Sequence, residues 1–213
     1  MPPRKPPPAT LVLLVRHGRT PTTGKVLPGR ARGLHLSDEG RAQAEAVAER
    51  LAALGKIDAV YASPLERTRE TAAPISRRAG VRVKAQRGLL ECDFGEWTGG
   101  ELKVLSRRPE WRTVQRWPSG FRFPAGESFA EMQTRVTDTL RRLAAAHPGG
   151  RIVAVSHADP IKAAVAEAVG AHLDLFQRIV ISPCSVSAVV YGAGGPAVLT
   201  VNSVGDLKEL RPS

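Results

Sequence analysis

Cysteine is scarce in this chain: there are two, Cys92 and Cys184, among 213 residues. They form neither a CxxC pair nor a zinc-ligand spacing, which excludes a disulfide framework and fits a reducing compartment. Aromatic residues make up only 5% of the sequence, too few for the stacking platforms that bind single-stranded nucleic acid. No apolar run approaches the roughly 20 residues of a membrane-spanning helix. Acidic residues are the minority charge, 20 against 31 Lys and Arg, for a net charge of +11. Such an excess attracts phosphates. The arginines are scattered, however, and no nucleic-acid-binding signature accompanies them. A basic surface that draws in small anions is the preferred reading, and a nucleic-acid partner is not expected.

The opening MPPRKPPPAT is basic and proline-rich with no apolar core. It reads as a disordered or extended arm over residues 1–10, not as a signal peptide, and a cytoplasmic location is expected. From residue 11 onward, short β-branched runs alternate with amphipathic stretches, the pattern of a layered α/β domain. Strands are expected at Leu11–Val15, Ala59–Tyr61, Val81–Val83 and Ile152–Val155, with a closing hairpin of Ser187–Tyr191 and Ala197–Val201 across Gly192–Gly195. Ser37 is placed to cap a helix running to about Leu54. Ser63 and Glu66 have the spacing of a capping box, with Pro64 at the first helical position, which puts Arg67 in the first turn. Further helices are expected over Glu101–Arg108, from Glu127 to about Ala146, and after Asp159 to Val169. GLLECDFGEWTGG reads as a loop. Two strands thus end in His17 and His157, and one helix begins with an arginine, at the sheet edge where open α/β domains bind ligands.

Taken singly, RHG at a strand end is weak. As a set, LVRHGRT, LSDEGRAQA, VYASPLERTRETA, LLECDFGEWTG, the GES of residues 126–128 and VAVSHADPIK resemble, in order and spacing, the histidine phosphatase superfamily, which includes phosphoglycerate mutases. LPGRARG and VLTVNSVGDL are most similar to actinobacterial phosphomutase-like members. The resemblance covers about residues 11–205. It implies a three-layer α/β/α fold with a mostly parallel central sheet, helices on both faces and a small cap insertion over residues 95–126, all within a single domain of residues 11–213. It also implies that His17 becomes phosphohistidine, that Arg16, Arg67 and His157 surround the phosphoryl oxygens, and that Glu91 gives a proton to the leaving oxygen.

Phosphoryl transfer spreads charge over three oxygens, and fixed guanidinium forks suit it without a metal or cofactor. An imidazole attacks through an unprotonated nitrogen, so the other ring nitrogen of His17 needs an acceptor, for which the resemblance suggests the carbonyl of Gly18. Glu91 must hold a proton, which calls for apolar surroundings such as Phe94 and Trp97. Phosphate contacts are also expected at Thr23, where many relatives carry asparagine, and at the N–H of Ala158, which replaces the usual glycine. An alanine there is compatible only if the backbone is not left-handed. His35, His147 and His172 match no catalytic position.

GRTPTTGKV imitates a phosphate-binding loop but has five residues between its glycines and Val26 in place of a magnesium-binding hydroxyl. A cysteine-dependent phosphatase needs an arginine six positions after its cysteine; Thr98 and Val190 stand there. A phosphatase and a phosphomutase both remain open, as does a catalytically silent phosphate-binding protein. The 34 residues between Glu91 and Gly126 make a short cap, which favours hydrolysis. Residues 95–126 have six basic against three acidic side chains, and Trp111 and Trp117 are candidates for the roof or the anchor of that segment. The expected partner is a small phosphorylated metabolite, with a homodimer left open and no membrane.

Overall fold

The computed structural model describes residues 6–205. Its centre is a six-stranded sheet of order β3-β2-β4-β1-β5-β6, with β1 at Thr10–Arg16, β2 at Ala59–Ala62, β3 at Val83–Ala85, β4 at Arg151–Ser156, β5 at Val186–Gly192 and β6 at Gly195–Ser203. The first four are mutually parallel; β5 and β6 run antiparallel at one edge. Successive side chains of a strand point to opposite faces, and β1 shows the result. Leu11, Leu13 and Val15 pack with Val47 and Leu51 of α1 (Asp38–Ala52) and Ala72 and Ile75 of α2 (Glu66–Ala79). Val12 and Leu14 pack on the other face with Val136 and Leu140 of α5 (Phe129–Ala145) and Ile161 and Val165 of α6 (Ala158–Ala168). Full burial of each such side chain is worth about 1.5–3 kcal/mol, so the apolar run of β1 is stable only when sandwiched. The expected three layers are therefore present.

Residues 95–126 carry two short helices, α3 at Leu102–Leu105 and α4 at Trp111–Arg116. The sequence suggests one helix over Glu101–Arg108; Pro109 disfavours helical backbone at the residue before it, and the element stops at Leu105. The segment sits on an aromatic cluster in which Trp97, Phe121, Phe123 and Phe129 are buried together with Met132 and Phe176. Trp111 stacks on Trp97 at 6.3 Å between ring centroids and is an anchor, whereas Trp117 is 60% exposed.

Other boundaries shift for identifiable reasons. β3 begins at Val83, not Val81, because Gly80 ends α2 in left-handed conformation (φ 68°) and the Val81 N–H still bonds back to Ser76. Residues 6–9 of the expected arm are exposed and outside any strand, but Thr10 opens β1, its hydroxyl donating to the carbonyls of Ala144 and His147. Residues 1–5 of the arm and 206–213 of the domain lie outside the described residues. Among the described residues no helix is long and apolar enough to cross a membrane.

Candidate active site

β1 and β4 pair in parallel with Arg16 opposite Ser156, so the residues that follow, His17 and His157, leave the sheet side by side. The His17 N–H donates to the Ser156 carbonyl at 3.0 Å, and the two imidazoles meet edge to face with centroids 5.2 Å apart. Gly18 lets the chain turn under α1: a side chain there would stand 2.5 Å from the carbonyl oxygen of Gly40, and one on Gly40 2.0 Å from that of Arg19. This close approach accounts for both glycines, in RHG and in SDEG. The turn is fixed further by Gly18 N–H donating to Thr71 Oγ1 at 3.0 Å.

His17 is 5% exposed, and its Nδ1 lies 2.8 Å from the carbonyl oxygen of Gly18. A carbonyl only accepts, so Nδ1 carries the proton and Nε2 keeps its lone pair. Burial, then the charges of Arg67 and Arg16, hold the His17 imidazole well below its ordinary pKa of 6.5, which keeps it neutral. Arg67 is completely buried. One terminal nitrogen, Nη2, donates to Gly29 O at 2.7 Å, while Nε and Nη1 have no partner. Arg16 gives one terminal nitrogen to Ile181 O at 2.6 Å, and its buried Nε is likewise unpartnered. His157, also completely buried, shares a hydrogen bond of 2.9 Å between Nε2 and Ser63 Oγ and leaves Nδ1 unpartnered. Burial and the same arginines lower its pKa well below 6.5. Buried polar groups are nearly always satisfied, so the four unsatisfied nitrogens on these three residues are free to bond an oxyanion.

Glu91 is 8% exposed and accepts the Cys92 N–H at 3.0 Å. Burial raises its carboxyl to about 7, with Asp159 the second cause; the Cys92 N–H, Arg67 and Arg16 act in the opposite direction. Burial is the reason expected from the sequence. Asp159 is not anticipated there, although its place two residues after His157 was the available signal; it is itself held by Lys162 at 3.3 Å.

Ala158 opens α6 in ordinary helical conformation and is not among the residues of positive φ, so its N–H stands at a helix N-terminus with no need for glycine. The Thr23 hydroxyl is engaged within its own turn, receiving the Thr20 N–H at 2.9 Å and lying 3.0 Å from Thr20 Oγ1. The capping box expected of Ser63 and Glu66 is absent. α2 starts at Glu66 with Leu65 as an N-cap lacking a side-chain bond. Ser63 belongs to the sheet edge instead, donating its N–H to Val155 O and its side chain to the contact with His157. Arg67 nevertheless falls in the first turn. The capping box that does form is Ser128 with Glu131, at α5.

The sequence model of the histidine phosphatase superfamily (branch 1) matches residues 12–204. The chain belongs to that superfamily. A bifunctional protein of Mycobacterium tuberculosis is 33% identical over 93% of this chain and 55% of its own length, so the chain spans about half the length of the curated relatives that head the comparison. Phosphoserine phosphatase 1 of Hydrogenobacter thermophilus is 32% identical over 78% of this chain and 79% of its own. Among solved structures, a mycobacterial glucosyl-3-phosphoglycerate phosphatase superposes with a TM-score of 0.82 at 23% identity, covering 92% of this chain and 99% of that one. That superposition concerns the fold alone.

Proposed function

We propose that this superfamily member is a phosphomonoester hydrolase that acts on a small phosphorylated metabolite through a phosphohistidine at His17. The observation that carries the reading is the cradle: unpartnered nitrogens of Arg16, Arg67 and His157 beside a neutral His17 whose Nδ1 is committed to Gly18. In the first step Nε2 of His17 attacks phosphorus, the ester P–O bond breaks, and the proton on Glu91 goes to the leaving oxygen. In the second, water attacks the phosphohistidine, Glu91 takes a proton from that water, and the P–N bond breaks to release phosphate and neutral His17. The two guanidiniums offset the charge on the equatorial oxygens at each step, a role that asks for no metal. Among the described residues no group of three His, Cys, Asp or Glu is placed to hold a metal ion.

Residues 95–126 serve in this reading as a small cap on a single catalytic domain. Their helices of four and six residues make a light cover, which favours water as the final acceptor over a retained intermediate. A cytoplasmic setting fits the two buried free cysteines. The deciding experiment measures p-nitrophenyl phosphate turnover in EDTA, with rapid-quench trapping of phosphohistidine, for wild type and His17→Ala. Turnover and trapped phosphate in the wild type alone support the reading; equal activity in both proteins sinks it.

A further inference from the structure

Glu91 lies between two single 3-10 turns, at Arg87–Leu89 and Gly95–Trp97, in a stretch that no strand supports. Arginines from two distant elements hold it. Arg135 of α5 donates through Nη1 to the carbonyls of Gly88 at 2.9 Å and Leu90 at 3.0 Å, and through Nη2 to that of Glu91 at 3.4 Å. Arg30, in the loop before α1, donates through Nε to the same Glu91 carbonyl at 2.9 Å. Both arginines converge on one carboxylate, Glu127, which takes a fork from Arg135 at 2.8 and 2.9 Å, a bond from Arg30 at 3.0 Å and the Asp93 N–H at 3.2 Å.

We propose that Glu127, through Arg30 and Arg135, is the positioning residue for the Glu91 carboxyl, fixing its loop and balancing the two cations that touch its carbonyl. This rests on the reading of Glu91 as proton donor. The arginines are needed because the loop has no ladder of its own; the carboxylate is needed because without it Arg135 loses its ion pair and Arg30 keeps only Asp93, and the excess positive charge beside Glu91 would favour its ionised form, which cannot donate. Glu127 is suited to the task. Its side chain is 12% exposed, it precedes the capped start of α5, and its N–H donates to Asp93 O at 2.9 Å, so charge and backbone both lock the Glu91 loop to α5. The carboxyl of Glu91 itself faces Arg16 of β1, Arg67 of α2 and Asp159 of α6, and Asp93 shares Arg30 with Glu127; a substitution at Glu127 alters none of these charges.

The test uses the full chain with Glu127→Gln, Glu91→Gln and both together. The Glu91 carboxyl is titrated by carbon-13 NMR, its signal assigned by loss in Glu91→Gln. In parallel, kcat/KM is followed across pH with phenyl phosphate and with p-nitrophenyl phosphate. Glu127→Gln is expected to lower the Glu91 titration by about one pH unit and to carry the alkaline limb of the phenyl phosphate profile down with it. It should slow that ester about tenfold more than the p-nitrophenyl ester, with an effect of less than about twofold when Glu91 is already Gln. An unmoved titration, or the same loss in both backgrounds, overturns the proposal. Should Glu127→Gln not fold, Arg30→Ala replaces it: removing a cation must move the Glu91 titration upward, and a downward or absent shift overturns the proposal equally. A wild type inactive on both esters whose Glu91 still titrates as described would refute the functional reading and leave the network standing; an active wild type with an unresponsive Glu91 does the reverse.

Discussion

Arg67 donates to the carbonyl of Gly29 at 2.7 Å, and that single bond orients a completely buried guanidinium while leaving its Nε and Nη1 without partners. A buried cation held so sparsely is a burden on the fold and an asset to an anion site. Replacing Arg67 with Met, of similar length but uncharged, separates the two. The thermal midpoint is expected to stay level or rise, while phosphate or vanadate, which raise the wild-type midpoint, lose that effect and kcat/KM falls by about two to three orders of magnitude. A variant still stabilised by phosphate contradicts the assignment of Arg67 to the cradle.

Glu91 titrates at about 7 because it is buried and faces Asp159. As donor it must be protonated, so kcat/KM for a poor leaving group such as phenyl phosphate is expected to decline above pH 7, about tenfold per unit. Glu91→Gln should abolish that limb and slow poor leaving groups most. Asp159→Asn removes a charge that raises the Glu91 value, so the limb should move to lower pH. A uniform loss across leaving groups in Glu91→Gln, with the limb intact, speaks against the donor role.

Ser63 and His157 share the bond at 2.9 Å that sets the orientation of the second imidazole. Ser63→Ala is expected to cost about 1 kcal/mol in urea unfolding and about tenfold in kcat, with KM little changed. Normal turnover in this variant would show that the His157 ring is held by packing alone.

The sheet and the gathering of the candidate site residues at its edge are legible in the sequence, and the reasons are local. Leu11–Val15 and Ile152–Val155 are apolar without interruption, as strands buried on both faces must be, so the residues at their ends are found by counting. Arg67 follows from its place near a helix start. What escapes is set by distance. Ser63 and Glu66 match a capping box three residues apart, yet the pairing of β2 with β4 claims Ser63 for the sheet, and no local rule foresees that. The hold of Arg30 and Arg135 on Glu91 joins residues 61 and 44 positions apart, with nothing in the spacing to mark it. Of the short helices in residues 95–126, α3 is anticipated but overextended, and α4 is hidden, since a periodicity of one or two turns is too short to register.

Trp97 is 2% exposed and meets Phe121, Phe123 and Trp111 at centroid distances of 5.6, 5.4 and 6.3 Å. Trp97→Ala is therefore expected to cost about 3–5 kcal/mol, read in urea unfolding, and to bare the 95–126 segment to limited proteolysis before the rest of the chain. Trp117→Ala, at an exposed position, should change stability by less than about 0.5 kcal/mol.

The place of β1 in the sheet bears on how the chain is made. Both of its neighbours, β4 and β5, come from residues 151 onward, so the LVLLV run near the start of the chain leaves the ribosome long before either pairing partner exists. At the usual pace of about 5–20 residues per second, that stretch stays unpaired for roughly ten seconds or more. It is a short, uncharged, β-prone segment of the kind that seeds aggregation when left exposed. Because His17 and His157 come together only when β4 docks, the candidate site is assembled in a single late event and not by degrees.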